Sequence, residues 1–256
     1  MKGFIINLKK IILGSLAIAT VILIWWGISK NVSPIVLPSP IETIEALQKL
    51  AESGKLWKEI AITAERVCIG FTISLVLGTF LGCMIGSFPM LFHFFKPIIV
   101  IIQTTPPISW IILAIIWFDF GGAAPIFVVV IATFPIFVIN AIQGTRQIPS
   151  SLVEMAKIFH ASFLQIAKDI YFPALWPFVS SAISICIGIS WKTIVMAELL
   201  SSSSGAGAAL SWARLQLETA QVLAWTLVIV ILGVTIEQVF QRISDMTRAG
   251  RIQEWK

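Results

Sequence analysis

Residues 143–173 read QGTRQIPSSLVEMAKIFHASFLQIAKDIYFP. They carry five charges, Arg146, Glu154, Lys157, Lys168 and Asp169, and lie between two long apolar runs, Ala123 to Asn140 and Ala174 to Leu199. An apolar stretch of about 18 residues crosses the roughly 30 Å hydrocarbon core of a bilayer as a helix, so a charged connection between two of them marks an exit and a return. Within the connection, Ser151-Leu152-Val153-Glu154 has the spacing of a capping box, in which hydroxyl and carboxylate satisfy free amides at a helix start, and predicts a helix beginning near Ser151. Ala156, Phe159, Phe163 and Ile166 follow at helical spacing and give it an apolar face to press against its own bundle or a partner.

Further out, the pattern repeats. Apolar runs extend over Ile11–Ser29, Val67–Ser87, Pro97–Phe118 and Val222–Phe240, the last carrying only Glu237, while Ala174–Leu199 carries Lys192 and Glu198. The expectation is an all-α integral membrane chain of about six transmembrane helices. Composition agrees: of 256 residues, 57% are hydrophobic and 12% charged, against roughly 25% charged in soluble domains. Lys9 and Lys10 before the first run and Ala17-Ile18-Ala19 within it resemble a secretory signal, but the apolar run continues to Ile28 and favours an uncleaved helix.

The positive-inside rule sets the orientation. With the N-terminus inside, eleven Lys and Arg fall on inner segments (Lys2, Lys9, Lys10, Lys96, Arg146, Lys157, Lys168, Arg242, Arg248, Arg251, Lys256) and six on outer ones, so both termini are expected in the cytoplasm. Basic residues dispersed over loops also argue against nucleic-acid binding. The expected layout is a first span with its cytoplasmic N-terminus over 1–30, an outer loop over 31–66 with an amphipathic helix (Ile41, Ile44, Leu47, Leu50, ended by Gly54), a five-helix core over 67–241 containing the loop 143–173, and a cytoplasmic tail over 242–256.

The connection goes further than a capping box. Glu154-Met155-Ala156, then His160, Ile170 and Phe172-Pro173, resembles in every spacing the EAA loop of ABC-importer permeases: E-A-A, three residues, G, nine residues, I, one residue, L-P. Met155 stands for the first alanine, His160 for the glycine and Phe172 for leucine. Histidine tolerates positive φ better than most residues, though less well than glycine. Leu37-Pro38-Ser39-Pro40, Glu65-Arg66 to Gly70-Phe71, Pro106-Pro107 to Trp117-Phe118, and Trp191 to Glu198 followed by Gly205-Ala206-Gly207 are similar, in order, to the nitrate, sulfonate, taurine and bicarbonate branch of that binding-protein-dependent family. The resemblance covers roughly Leu37 to Trp255.

The resemblance implies a type I ABC importer permease fold in the bacterial inner membrane. It also implies partners: a second permease copy, two ATP-binding cassette ATPases and an extracytoplasmic solute-binding protein. Ser151, Glu154, Met155, Ala156, Phe159, His160, Ala161 and Pro173 would then form the ATPase-coupling segment. The substrate class would be a small sulfonate, taurine, nitrate or bicarbonate-type anion, with a thiamine-precursor pyrimidine as the alternative within the family and a secondary transporter or channel as the alternative outside it. No cofactor is expected on this chain, since ATP and Mg would sit on the partner. Its only Gly-Lys pair, Gly54-Lys55, lacks the glycine and hydroxyl residue of a phosphate-binding loop.

Several intramembrane residues attract functional readings. Gly78, Gly82 and Gly86, with Gly70 eight residues before, form a smooth face for helix packing. Pro106 and Pro107 break the third span and free carbonyls, and with Thr104, Thr105, Ser109, Trp191, Lys192 and Glu198 they are candidates for a translocation path. An ammonium in a membrane needs a partner or water, and Lys192 is open to two readings: an internal pair with Asp119 or Glu198, or attraction of an anionic substrate. His93 and His160 belong to no HExxH or nucleophile elbow, Cys68, Cys83 and Cys186 to no CxxC, so neither an enzyme nor a metal site is indicated.

Overall fold

Apolar helices too long for the interior of a small soluble domain dominate the chain. The computed structural model describes residues 2–253, with side-chain surroundings for residue 13, residues 15–240 and residue 242. The described residues form helices and their connections only. In order these are α1 (Lys2–Ser29), α2 (Pro40–Glu52), α3 (Lys55–Ser87), α4 (Pro89–Thr104), α5 (Pro107–Phe118), α6 (Ala123–Arg146), α7 (Ser150–Ile158), α8 (Phe163–Ile166), a π-helical turn (Ala167–Tyr171), α9 (Phe172–Ser201), α10 (Ala206–Leu215) and α11 (Thr219–Gln253).

Four stretches are long and apolar enough to cross a membrane: Lys55–Ser87, Ala123–Arg146, Phe163–Ser201 and Thr219–Phe240. The bent pair α4 and α5 makes a fifth. The sixth expected span lies on α1, where the described side chains give an apolar helix over Ser15–Ser29. Lys2, Lys9, Lys10, Arg248, Arg251 and Lys256, which entered the orientation argument, have side chains outside the described residues.

The core is a stack of α3, α6 and α9. Its centre is α6, half buried along its apolar window. Lipid is as apolar as leucine, so close backbone approach rather than hydrophobic expulsion must hold such helices together. Gly78 and Gly82 supply it: a Cβ at Gly78 would lie 2.7 Å from Phe137 Cβ, and one at Gly82 2.6 Å from Ala141 Cβ and from the Val138 carbonyl oxygen. Gly70 and Gly86 meet Val129 and Thr145 of α6 in the same way. Between them Ser74 Oγ donates to the Val130 carbonyl (3.2 Å) and lies 2.8 Å from Thr133 Oγ1. Phe137, Ala182 and Cys186 then close the α6–α9 contact.

Three expectations are corrected. No helix begins at residue 67, because α3 begins at Lys55, directly after Gly54 at φ +73°; the charges of 55–66 sit on a helix rather than in a loop. Likewise α11 runs through residues 241 and 242 without a break. On α2 the buried face is Thr43, Ala46 and Leu50, with Leu47 partly buried, while Ile41 and Ile44 are exposed. Ser39 caps this helix in a complete box with Glu42, and Pro40 at its first position presets φ.

Gly82→Leu is expected to destabilise the chain by about 1–3 kcal/mol through overpacking against α6. Gly27→Leu, where an added Cβ meets nothing within 4 Å, should change it by less than about 0.5 kcal/mol. Melting temperatures of the detergent-solubilised protein check both.

Candidate functional site

The connection after α6 folds differently at its start from the sequence expectation. Pro149 is extended (φ −63°, ψ 132°) and occupies the N-cap, so the helix begins at Ser150, and Ser151 and Glu154 lie inside α7, where they form no capping box. Pro149 fixes the point of entry, and the Ser151 hydroxyl, on the second residue of the helix, makes no capping bond. The capping box occurs at Ser162 instead: Ser162 Oγ accepts from the Gln165 amide, and Gln165 Oε1 accepts from the Ser162 amide at 2.7 Å. Ser-x-x-Gln was as readable as Ser-x-x-Glu.

Between the two helices the chain turns at His160, with φ +58°. The Ala161 amide donates to the Ala156 carbonyl and the His160 amide to the Lys157 carbonyl, both at 3.0 Å. This is the Schellman arrangement, in which the left-handed residue is most often glycine. A histidine there bears about 1–2 kcal/mol of Cβ crowding. α7 buries none of its residues. Its apolar side chains, with those of the following turn, face outward: Ile158 is 75% exposed, Phe159 78%, Phe163 85% and Leu164 79%. Ala156 is half-buried and Ile166 buried. Beyond α8 the π turn leads into α9 without a break, which makes Phe163–Ser201 one 39-residue helix; Pro173 is the second residue of its α9 part.

At the third span the break is complete. Pro106 and Pro107 remove two consecutive amide donors, Thr105 is driven extended (φ −68°, ψ 126°), and α4 and α5 meet at 95°. Beside the break lies a cavity of about 250 Å³ whose walls include Gln103, Thr105, Pro107, Trp110, Ile189 and Thr193. The Trp110 indole nitrogen is buried without a hydrogen-bond partner. Thr104 and Thr105 turn their hydroxyls back to the carbonyls of Val100 (2.9 Å) and Ile101 (2.8 Å). Pro106 and Ser109 belong to the turn, not to the cavity walls.

The remaining path candidates are dispersed. Trp191 does not line the cavity: its indole N–H donates to the Ile229 carbonyl of α11 at 3.0 Å and its ring packs on Gly233. Lys192 is exposed and forms no ion pair with Asp119 or Glu198; among the described residues the one ion pair is Arg66–Glu198. Among the described residues Lys192 thus has neither of the two internal partners considered for it, and Glu198 is engaged by Arg66.

That engagement organises the end of the bundle opposite α7. Glu198 is fully buried, with Arg66 Nη1 donating to Oε1 at 2.8 Å, Thr63 Oγ1 to Oε2 at 2.8 Å and the Gly207 amide to Oε2 at 3.2 Å. Arg66 also donates to the Ser204 carbonyl (2.7 Å) and hydroxyl (2.8 Å). The amides of Gly205 and Ala206 donate to Glu59 Oε2 (2.6 Å) and Thr63 Oγ1 (2.8 Å). Side chains of α3 and α9 thus satisfy the free amides at the start of α10. Gly205 (φ +102°, ψ 165°) takes a conformation open only to glycine, and a Cβ there would collide with the Glu198 carboxylate. Sequence reading missed Glu59, Thr63 and the role of Arg66. The available signal was one cation and one anion at the same end of two different spans.

A family model described as "binding-protein-dependent transport system inner membrane component" matches residues 74–247. The chain belongs to that family. It is an ABC-importer permease, a transport subunit that passes through the membrane several times. Relatives include the taurine transport system permease protein TauC of Escherichia coli (strain K12), 26% identical over 90% of this chain and 86% of that one. The putative aliphatic sulfonates transport permease protein SsuC of Bacillus subtilis (strain 168) is 30% identical over 86% and 80%. The nitrate import permease protein NrtB of Synechocystis sp. is 30% identical over 77% and 75%. A chain of the MetNI methionine ABC transporter in an inward-facing conformation shares the fold, with a TM-score of 0.56 at 20% identity over 75% of this chain and 93% of that one.

In this permease Glu198→Ala should cost about 3–5 kcal/mol by stranding the buried Arg66 charge. The double variant Arg66→Met/Glu198→Leu should recover most of it, as a double-mutant cycle on thermal unfolding will read. His160→Gly should raise stability by about 1 kcal/mol and His160→Val lower it, measured in the same way.

Proposed function

We propose that this chain dimerises with a second copy in the bacterial inner membrane, with six spans and cytoplasmic termini, and couples ATP hydrolysis by two partner ATPases to import of a small oxoanion or sulfonate handed over by an external binding protein. The observation that carries the reading is the segment 150–166, which projects Ile158, Phe159, Phe163 and Leu164 away from its own bundle. Apolar anchors of this density are what a partner groove takes up as hot spots. The Schellman turn at His160 holds the two halves of the segment at a fixed angle, so a push on α7 reaches α9.

The substrate class has two supports. The relatives named for taurine, aliphatic sulfonates and nitrate all handle groups bearing anionic oxygens. Lys192, with no carboxylate within 4 Å among the described residues, adjoins Thr193 of the cavity wall beside the helix break. An exposed ammonium without a counterion is free to attract an anion. Energy enters through the partner, which separates this reading from a secondary transporter.

The test is co-purification and ATP hydrolysis of the reconstituted importer carrying Phe159→Asp and Phe163→Asp. Association with the ATPase should weaken by about 30-fold, as for loss of a hot spot worth about 2 kcal/mol, with the melting temperature unchanged. Transport that persists without any ATPase, or normal coupling in the variant, would refute it.

A further inference from the structure

At the end of the bundle that carries α7, a groove of about 250 Å³ opens between α4 and α6. Its floor is apolar, made by Ile99, Val100, Ile139 and Ile142, and its mouth holds Lys96 and Arg146. Both cations gather on one aromatic ring: the Arg146 guanidinium carbon is 3.8 Å and Lys96 Nζ 5.8 Å from the centroid of Phe92. Among the described residues no carboxylate lies within 4 Å of either. None could come from the elements that form the groove, because the sequence contains no Asp or Glu between Arg66 and Asp119, nor between Asp119 and Glu154. Two like charges lining one groove without a counterion repel, and the arrangement is relieved by an anion.

We propose that this groove is a binding site for one acidic phospholipid, its phosphodiester held by Arg146 and Lys96 and an acyl chain laid along Ile99, Val100 and Ile139. The guanidinium supplies a planar fork matched to two phosphate oxygens, and the ammonium a second point charge. The apolar floor decides between a lipid and other anions. A free phosphate, or an acidic patch of a protein partner, would leave that floor uncovered, whereas a lipid fills floor and mouth together. Basic pockets between spans at the headgroup level are a recognised form of lipid recognition. The site is separate from the cavity at the helix break and from the segment 150–166, so it stands or falls independently of the transport reading.

The complete importer, purified in detergent and stripped of lipid, is incubated with palmitoyl-oleoyl phosphatidylglycerol or phosphatidylcholine and analysed by native mass spectrometry. Wild type is expected to retain phosphatidylglycerol over phosphatidylcholine by about thirtyfold, the effect of two cations at a membrane surface. Lys96→Gln/Arg146→Gln should abolish the preference, and Lys96→Arg/Arg146→Lys, which keeps both charges, should retain most of it. Equal retention of the two lipids, or a preference that survives in the neutral variant, overturns the proposal. So does displacement of the lipid by millimolar inorganic phosphate, which would mark a free-anion site. Loss of the ATPase subunits from the neutral variant with lipid retention unchanged overturns it in favour of a protein contact.

Discussion

A buried ion pair 132 residues apart in sequence fixes the far end of this bundle. Arg66 and Glu198 bring α3 and α9 together, and through the amides of Gly205, Ala206 and Gly207 they seat the start of α10 on both. The desolvation of two charges is costly, and Coulomb attraction alone seldom offsets it. Here the offset comes from saturation. Both oxygens of Glu198 receive N–H or O–H donors, while Arg66 also donates to Ser202 and Ser204. Replace Arg66 and the Glu198 carboxylate is left charged where it is fully buried. The loop Ser202–Gly205 adds the bonds that Ser202 and Ser204 make to each other.

From that anchor the rest of the helix stack follows by close packing. Glycines on α3 let the backbone of α6 approach until hydroxyls and carbonyls of the two helices meet, and α9 then closes over Phe137. The outward faces of α1, α3, α5 and α11 are apolar and uncovered. In water such faces would mark aggregation; in a bilayer they are the surface that lipid wets.

How far the sequence reveals this depends on the range of the interaction. Spans governed by composition alone, such as Ala123–Arg146, are plain from the residues. The beginning of α3 is not, because charges between Lys55 and Arg66 look like a loop until Arg66 finds Glu198. Local patterns compete as well: Ser151–Glu154 and Ser162–Gln165 both fit a capping box, and Pro149 decides against the first by setting where α7 begins. The paired prolines announce a broken span but not a 95° bend, nor that Gln103, Trp110 and Thr193 converge beside it. Trp191 and Lys192 are neighbours in sequence, and only the helix face separates an indole locked to α11 from an ammonium left open.

The helix from Phe163 to Ser201 is one rod, and its irregularities, the π turn at Ala167–Tyr171 and the internal Pro177, lie toward its first residues. At 1.5 Å per residue, the distance from Ser162 to Glu198 is about 54 Å. A rod that long, compliant only near one end, acts as a lever. A tilt imposed at α8 and not absorbed in the π turn is multiplied along its length, and the largest displacement arrives where Glu198 is clasped by Arg66. The end of the molecule that is most strongly tied is therefore also the end at which any such motion is largest.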